Sequence, residues 1–106
     1  MRTGQEDREG QLLAALRCLL ADEISEGQLL RKLRREVLGL SQQEYASLVG
    51  VSRRTLSDME GDRGNVSLAV MNRVYRPLGL RVGLLPRQTA LLHEVLEAER
   101  PSQHDA

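Results

Sequence analysis

Residues 41–60 read "SQQEYASLVGVSRRTLSDME", and the fold turns on them. Gly50 lies between two short amphipathic runs, and Arg53 and Arg54 follow it closely. "SQQE" has the pattern of a capping box. The Ser41 hydroxyl accepts from the Glu44 amide, and the Glu44 carboxylate reaches back to the cap. A helix therefore starts at this point and runs through Val49. Gly50 permits a left-handed turn that a β-carbon would penalise by about 1 kcal/mol or more. Ser52 then caps a second helix over residues 53–60.

Two helices joined by so short a turn must cross steeply. Ala46 is small and sits where the second helix presses on the first. Tyr45, Leu48, Val49, Val51, Leu56 and Met59 supply the apolar faces that bury the pair. Ser52, Arg53, Arg54, Ser57 and Asp58 project outward, mostly from the first two turns of the second helix. This is the layout of a helix-turn-helix, in which the second helix enters a DNA major groove N-terminus first.

Outward from this stretch the periodicity predicts four more helices. Residues 9–22 carry an apolar stripe of Leu12, Leu13, Leu16, Leu19 and Leu20. Residues 26–38 carry Leu29, Leu30, Leu33, Val37 and Leu38, with Arg31, Lys32, Arg34 and Arg35 mostly on the other face, and Gly39 closes the helix. "EGDRGN" is a loop. Ser67 caps the next helix, in which Leu68, Met71, Val74 and Tyr75 line one side, with Pro77 near its end and Gly79 closing it. "LRVGLLP", residues 80–86, breaks the helical pattern and reads as a lone strand ended by Pro86. A lone strand leaves its amides and carbonyls unpaired, so its expected partner is the same strand of a second copy. Residues 88–99 form an amphipathic helix with Leu91, Leu92, Val95 and Leu96 on one face, and "RPSQHDA" reads as a frayed tail.

Composition agrees with packed helices. The 106 residues include twenty Leu, two Tyr and no Phe or Trp, so the core must be aliphatic. The net charge of zero hides a separation. Residues 26–87 hold eleven Arg and Lys against six Asp and Glu, and the remainder holds four against nine. A basic middle points to a polyanionic partner, although solvated helix faces would give the same count. No apolar run approaches the ~20 residues that span a bilayer. The charged N-terminus does not read as a signal peptide, and the single Cys18 suits a reducing cytosol. Cytoplasmic placement, nucleoid-associated when DNA-bound, is the expectation.

With these residues in place, "LGLSQQEYASLVGVSRRTLSDMEGD" resembles the Cro/cI-type helix-turn-helix regulators, the XRE family. The resemblance is carried by Gln42, Ala46, Gly50, Val51, Leu56, Met59 and Glu60 beside the Gly61 loop, and spans residues 26–86. Tyr45 departs from the usual leucine, which predicts a roomier or more solvent-edged packing site. The ending "LRVGLLP" resembles the smaller HipB-like members, whose strands pair across a dimer. The implied fold is mainly all-α: a lambda-repressor-like domain with one short C-terminal strand and flanking helices. The implied organisation is an N-terminal extension with one helix (1–25), a DNA-binding domain (26–80), and a dimerisation segment (81–106) with strand 81–86 and helix 88–99. The family pattern also implies a partly buried pair between Arg35 and Glu60, against the alternative of an exposed pair of no consequence.

The candidate DNA contacts are Gln42, Gln43, Ser52, Arg53, Arg54, Thr55, Ser57 and Asp58. Arginine reads guanine O6 and N7, and Arg54 is favoured for that role, whereas Arg53 fits base and phosphate equally. Gln42 lies at a helix N-terminus suited to phosphate, with Gln43 beside it or simply exposed. Ser52 and Thr55 can donate to phosphate, but capping alone accounts for Ser52. Asp58 accepts from cytosine N4 or repels phosphate. Arg63 and Arg73 are weaker candidates for backbone contact. Leu80, Arg81, Val82, Gly83, Leu84 and Leu85 are the candidate dimer contacts, and the terminal helices extend the dimer or build a tetramer.

His93, His104 and Cys18 are scattered and lack metal spacing. No nucleophile–base arrangement or phosphate loop is present, so neither an enzyme nor a cofactor is expected. The leading expectation is a homodimeric, sequence-specific regulator binding a palindromic operator. An antitoxin that autoregulates its operon while its flanking helices hold a toxin protein is the alternative. A protein-interaction module that has lost DNA binding is a third reading, which the arginine pair opposes.

Overall fold

The computed structural model describes residues 4–98. It contains six α-helices: α1 (Gly4–Leu20), α2 (Glu26–Lys32), α3 (Gln42–Val49), α4 (Arg53–Glu60), α5 (Leu68–Tyr75) and α6 (Thr89–Ala98). A π-helical turn, Leu33–Leu38, extends α2, and a 3₁₀ turn, Arg76–Leu78, extends α5. Glu99, His104 and the tail that contains it lie outside the described residues.

Local chemistry sets the helix starts. Ser41 accepts from the Glu44 amide at 3.1 Å while the Glu44 Oε1 accepts from the Ser41 amide at 2.8 Å, closing the box expected from the sequence. Ser25 and Gln28 build a second box at α2, with distances of 3.1 and 2.8 Å. Ser52 and Ser67 accept from the Thr55 and Val70 amides. Gly39, Gly50 and Gly79 end their helices in the left-handed region, where a β-carbon is strained.

The core is one aliphatic cluster drawn from α1 to α5. Ala15, Leu29, Leu30, Leu33, Ala46, Val49, Leu56, Val74 and Leu78 are buried in it, with Met59. Removing such a side chain from water stabilises by about 1.5–3 kcal/mol each, before entropy is counted. The two tyrosines tie helices together as they pack. The Tyr45 hydroxyl donates to the Val74 carbonyl, joining α3 to α5. The Tyr75 hydroxyl donates to the Glu26 carbonyl at 2.9 Å, joining α5 to α2. Tyr45 is 0% exposed, so its site is neither roomy nor solvent-edged. A phenol replaces an aliphatic chain there because its oxygen reaches a carbonyl that needs a donor.

Several sequence expectations are corrected. Among the described residues there is no strand. Residues 80–86 form neither helix nor ladder, and the Val82 amide donates to Asn72 Oδ1 at 2.8 Å instead. Leu48 and Leu68 are exposed rather than packed, so the α3–α4 and α5 faces are narrower than expected. On α6 only Leu92 is buried, whereas Leu91, Val95 and Leu96 face outward. The N-terminal helix begins at Gly4, five residues before the expected start. No helix among the described residues is long and apolar enough to cross a membrane.

Candidate nucleic-acid interface

The site begins with the turn. Gly50 has φ 74° and ψ 36°, and the Val51 amide returns to the Ala46 carbonyl at 3.0 Å. Arg73 of α5 donates to the Gly50 carbonyl at 3.3 Å, satisfying one of the acceptors that α3 leaves open at its C-terminus. The turn is therefore held by α3 and α5, and the crossing of α3 and α4 follows from it.

Past the turn, the first two turns of α4 reach solvent. Arg53 and Arg54 are exposed, and no acidic residue occupies the first turn. The positive end of the helix dipole and two guanidinium groups thus add at this end of α4, which favours an anion. The N-terminus of α3 differs. Glu44 occupies its first turn, and hydrogen bonds from the Ser41 amide and hydroxyl hold its carboxyl below the usual carboxylate range. An ionised carboxylate there competes with phosphate.

The candidate residues fall into three sets. Arg53, Arg54 and Gln43 are exposed. Ser52 and Thr55 are engaged with each other: Ser52 Oγ donates to Thr55 Oγ1 at 2.9 Å while accepting from the Thr55 amide. Capping is their visible work. Ser57 and Asp58 are half-buried one turn on. The Asp58 carboxylate lies 3.4 Å from Arg63 Nη2 and 4.0 Å from Arg54 Nε.

The pairing expected for Arg35 is corrected. Arg35 is exposed, and Glu60 is held by Arg34. Arg34 Nε donates to Glu60 Oε2 at 2.6 Å and Nη2 donates to Oε1 at 3.0 Å, while Nη1 donates to the Leu40 carbonyl at 2.7 Å. Gln42 Nε2 adds a further bond to Glu60 Oε1 at 3.0 Å. Gln42 therefore joins the first turn of α3 to the end of α4, rather than being given over to phosphate. The signal for Arg34 was present. It sits at i+4 from Leu30, beside Leu33 and Val37 on the apolar stripe, whereas Arg35 is turned away from it.

Asp62 and Asn72 were not anticipated. Asp62 adopts φ 58°, and its carboxylate accepts from the Gly27 amide at 2.9 Å and from the Ser25 hydroxyl. The loop after α4 is thereby clamped to the start of α2. Asn72 anchors residue 82, and with it the segment after Gly79. Of the expected dimer contacts, Leu80 and Val82 are half-buried, while Arg81, Gly83, Leu84 and Leu85 are exposed. No group of His, Cys, Asp and Glu among the described residues is arranged to hold a metal ion.

Comparisons with known proteins agree with this geometry. The family profile described as a helix-turn-helix domain matches residues 27–88. A protein of Methanothermobacter thermautotrophicus, described as an uncharacterized HTH-type transcriptional regulator, is 45% identical over 51 residues, covering 48% of this chain and 72% of that protein. Control protein C.MunI of a Mycoplasma species is 34% identical over 59 residues, covering 56% of this chain and 80% of that protein. No solved structure matches. The turn at Gly50, the exposed N-terminus of α4 and a family match over more than half of the sequence lead to one conclusion: this chain belongs to the helix-turn-helix domain family.

Proposed function

We propose that the protein is a sequence-specific DNA-binding transcriptional regulator of the XRE type, in its HipB-like subgroup, acting as a homodimer in the cytoplasm. The observation that carries this reading is the exposed first turn of α4, with Arg53 and Arg54 beside a helix N-terminus free of acidic residues. Two relatives described as a transcriptional regulator and a control protein support it. Arg54 reads guanine, Arg53 contacts a base or phosphate, and Gln43 approaches the backbone. The Arg34–Glu60–Gln42 network holds α3 and α4 at the angle this requires.

A second copy presents a second recognition helix about one helical turn of DNA away, ~34 Å. The exposed Leu84 and Leu85, in a segment without secondary structure of its own, support pairing of residues 80–86 with their equivalent. Selecting bound sites from random duplex DNA tests the reading. A two-fold symmetric consensus supports it, and recovery of no preferred sequence rejects it.

The outward apolar face of α6 favours a second reading. Leu91, Val95 and Leu96 suit a protein partner, such as a toxin held by an antitoxin, or a second dimer in a tetramer. A toxin gene in the adjacent reading frame, whose product co-purifies with this chain, distinguishes the antitoxin.

A further inference from the structure

Asp58 is a carboxylate on the face that would meet a polyanion. A negative charge there weakens binding to any duplex, because phosphate is the dominant contact of every sequence. It is nonetheless held firmly. Its carbonyl accepts from the Arg63 amide at 2.7 Å and the Gly61 amide at 3.1 Å, so the loop after α4 folds back around it. A β-carbon placed on Gly64, at φ 83°, would stand 3.5 Å from that of Asp58, so the loop passes close by. The carboxylate then stands between two arginines. Oδ1 faces Arg63 Nη2 at 3.4 Å, and Oδ2 faces Arg54 Nε at 4.0 Å, one helical turn back. Arg54 is 89% exposed, whereas Asp58 is only 34% exposed.

We infer that Asp58 is a positioning residue that makes Arg54 read sequence rather than phosphate, an inference that rests on the DNA-binding reading above. An unrestrained arginine on a groove-facing helix can reach phosphates, which every duplex offers. A carboxylate on the Nε side of Arg54 limits the directions its side chain can take. It leaves the two terminal nitrogens free to meet guanine O6 and N7 as a fork. The same carboxylate restrains Arg63, which would otherwise add a second contact without sequence information. Asp58 thus lowers affinity for all DNA and lowers it most for the wrong DNA, which is how specificity is gained by an unfavourable element.

The test uses the full-length protein and its isosteric variant Asp58→Asn, with Asp58→Glu as the conservative rescue. Fluorescence anisotropy is measured on the selected duplex, on a scrambled duplex, and on duplexes with each base pair replaced in turn. Arg54→Ala first identifies the base pair whose replacement penalty depends on Arg54. In Asp58→Asn the scrambled duplex is expected to bind about 3–10-fold tighter, with a steeper salt dependence. The penalty at the Arg54-dependent pair is expected to fall from roughly 10-fold or more to about 2–3-fold. Penalties at other pairs stay as in the wild type, and Asp58→Glu restores part of the lost discrimination. A purely structural role would weaken binding to every duplex together and leave the pattern of penalties unchanged.

An unchanged penalty at the Arg54-dependent pair overturns the inference. So does weaker binding of the scrambled duplex. Lost discrimination only at a cytosine that Arg54→Ala leaves unaffected also overturns it, in favour of direct contact by Asp58. Failure of the wild-type protein to distinguish the selected from the scrambled duplex rejects the DNA-binding reading itself, and that is visible before any variant is measured.

Discussion

Arg34 grips Glu60 through two parallel hydrogen bonds of 2.6 and 3.0 Å, with both side chains almost wholly removed from water, at 6% and 4% exposed. The pair joins the end of α2 to the end of α4. Gln42 and the Leu40 carbonyl complete its hydrogen bonding. A buried pair of this kind adds little net stability compared with apolar side chains of equal size, but breaking it strands a charge. Arg34→Ala is therefore expected to cost about 3–5 kcal/mol in urea unfolding. Arg35→Ala, at an exposed position, should stay within about 0.5 kcal/mol.

Gly27 is fixed by close approach. A β-carbon there would lie 2.5 Å from the Met59 carbonyl oxygen and 2.7 Å from that of Glu60. Both are backbone atoms that cannot swing aside. Gly27→Ala should destabilise by about 1–3 kcal/mol or more through displacement of α2 from α4. Thermal unfolding checks this, with Gly10→Ala as the control, since a β-carbon there meets nothing within 4 Å.

Tyr45 links stability to alkaline pH. Burial, with the Glu60 charge second, pushes its phenol up from 10 to about 12, and burial pushes Tyr75 up as well. Below pH 10 both folded and unfolded chains hold the Tyr45 proton, and its contribution is intact. Between pH 10 and about 12 the unfolded chain releases the proton while the folded chain retains it, so stability falls as pH rises. Tyr45→Phe should flatten part of this decline. It should also cost about 1–3 kcal/mol at neutral pH, because the Val74 carbonyl loses its donor. Urea midpoints measured from pH 7 to 12 test both effects.

The proposed dimer would be built on residues 80–86. Leu84 is fully exposed in the single chain, so Leu84→Glu should leave the circular dichroism spectrum and monomer fold intact. Sedimentation equilibrium should show the wild type at twice the chain mass and the variant shifted toward one. Equal masses for the two proteins would remove Leu84 from the interface.

What the sequence revealed depended on how local the cause was. The capping box at Ser41, the caps at Ser52 and Ser67, and the left-handed Gly50 involve neighbours within four residues, and each was legible. The Ser25–Gln28 box follows the same rule and was open to the same reading. Arg34 was mistaken for Arg35 because a run of basic residues hides which one lies on the apolar stripe. The stripe Leu30, Leu33, Val37 identifies it. Tyr45 bonding to Val74, and Asp62 clamping Ser25 and Gly27, join positions 29 to 37 residues apart. No local pattern announces such pairs. Residues 80–86 have strand-like composition, but a strand needs a partner, and within one chain the Leu80 amide goes to the Tyr75 carbonyl and the Val82 amide to Asn72.

On the proposed reading, the exposed start of α4 is the surface that meets DNA. The most direct measurement is anisotropy of the selected duplex titrated with wild type and with Arg53→Ala/Arg54→Ala, from low to physiological salt. Both side chains are exposed, so the double variant should keep its fold and melting temperature. It is expected to lose about 10-fold or more in affinity, together with a shallower dependence on salt, as two cationic contacts disappear. Binding curves that coincide for the two proteins at every salt concentration would contradict that reading.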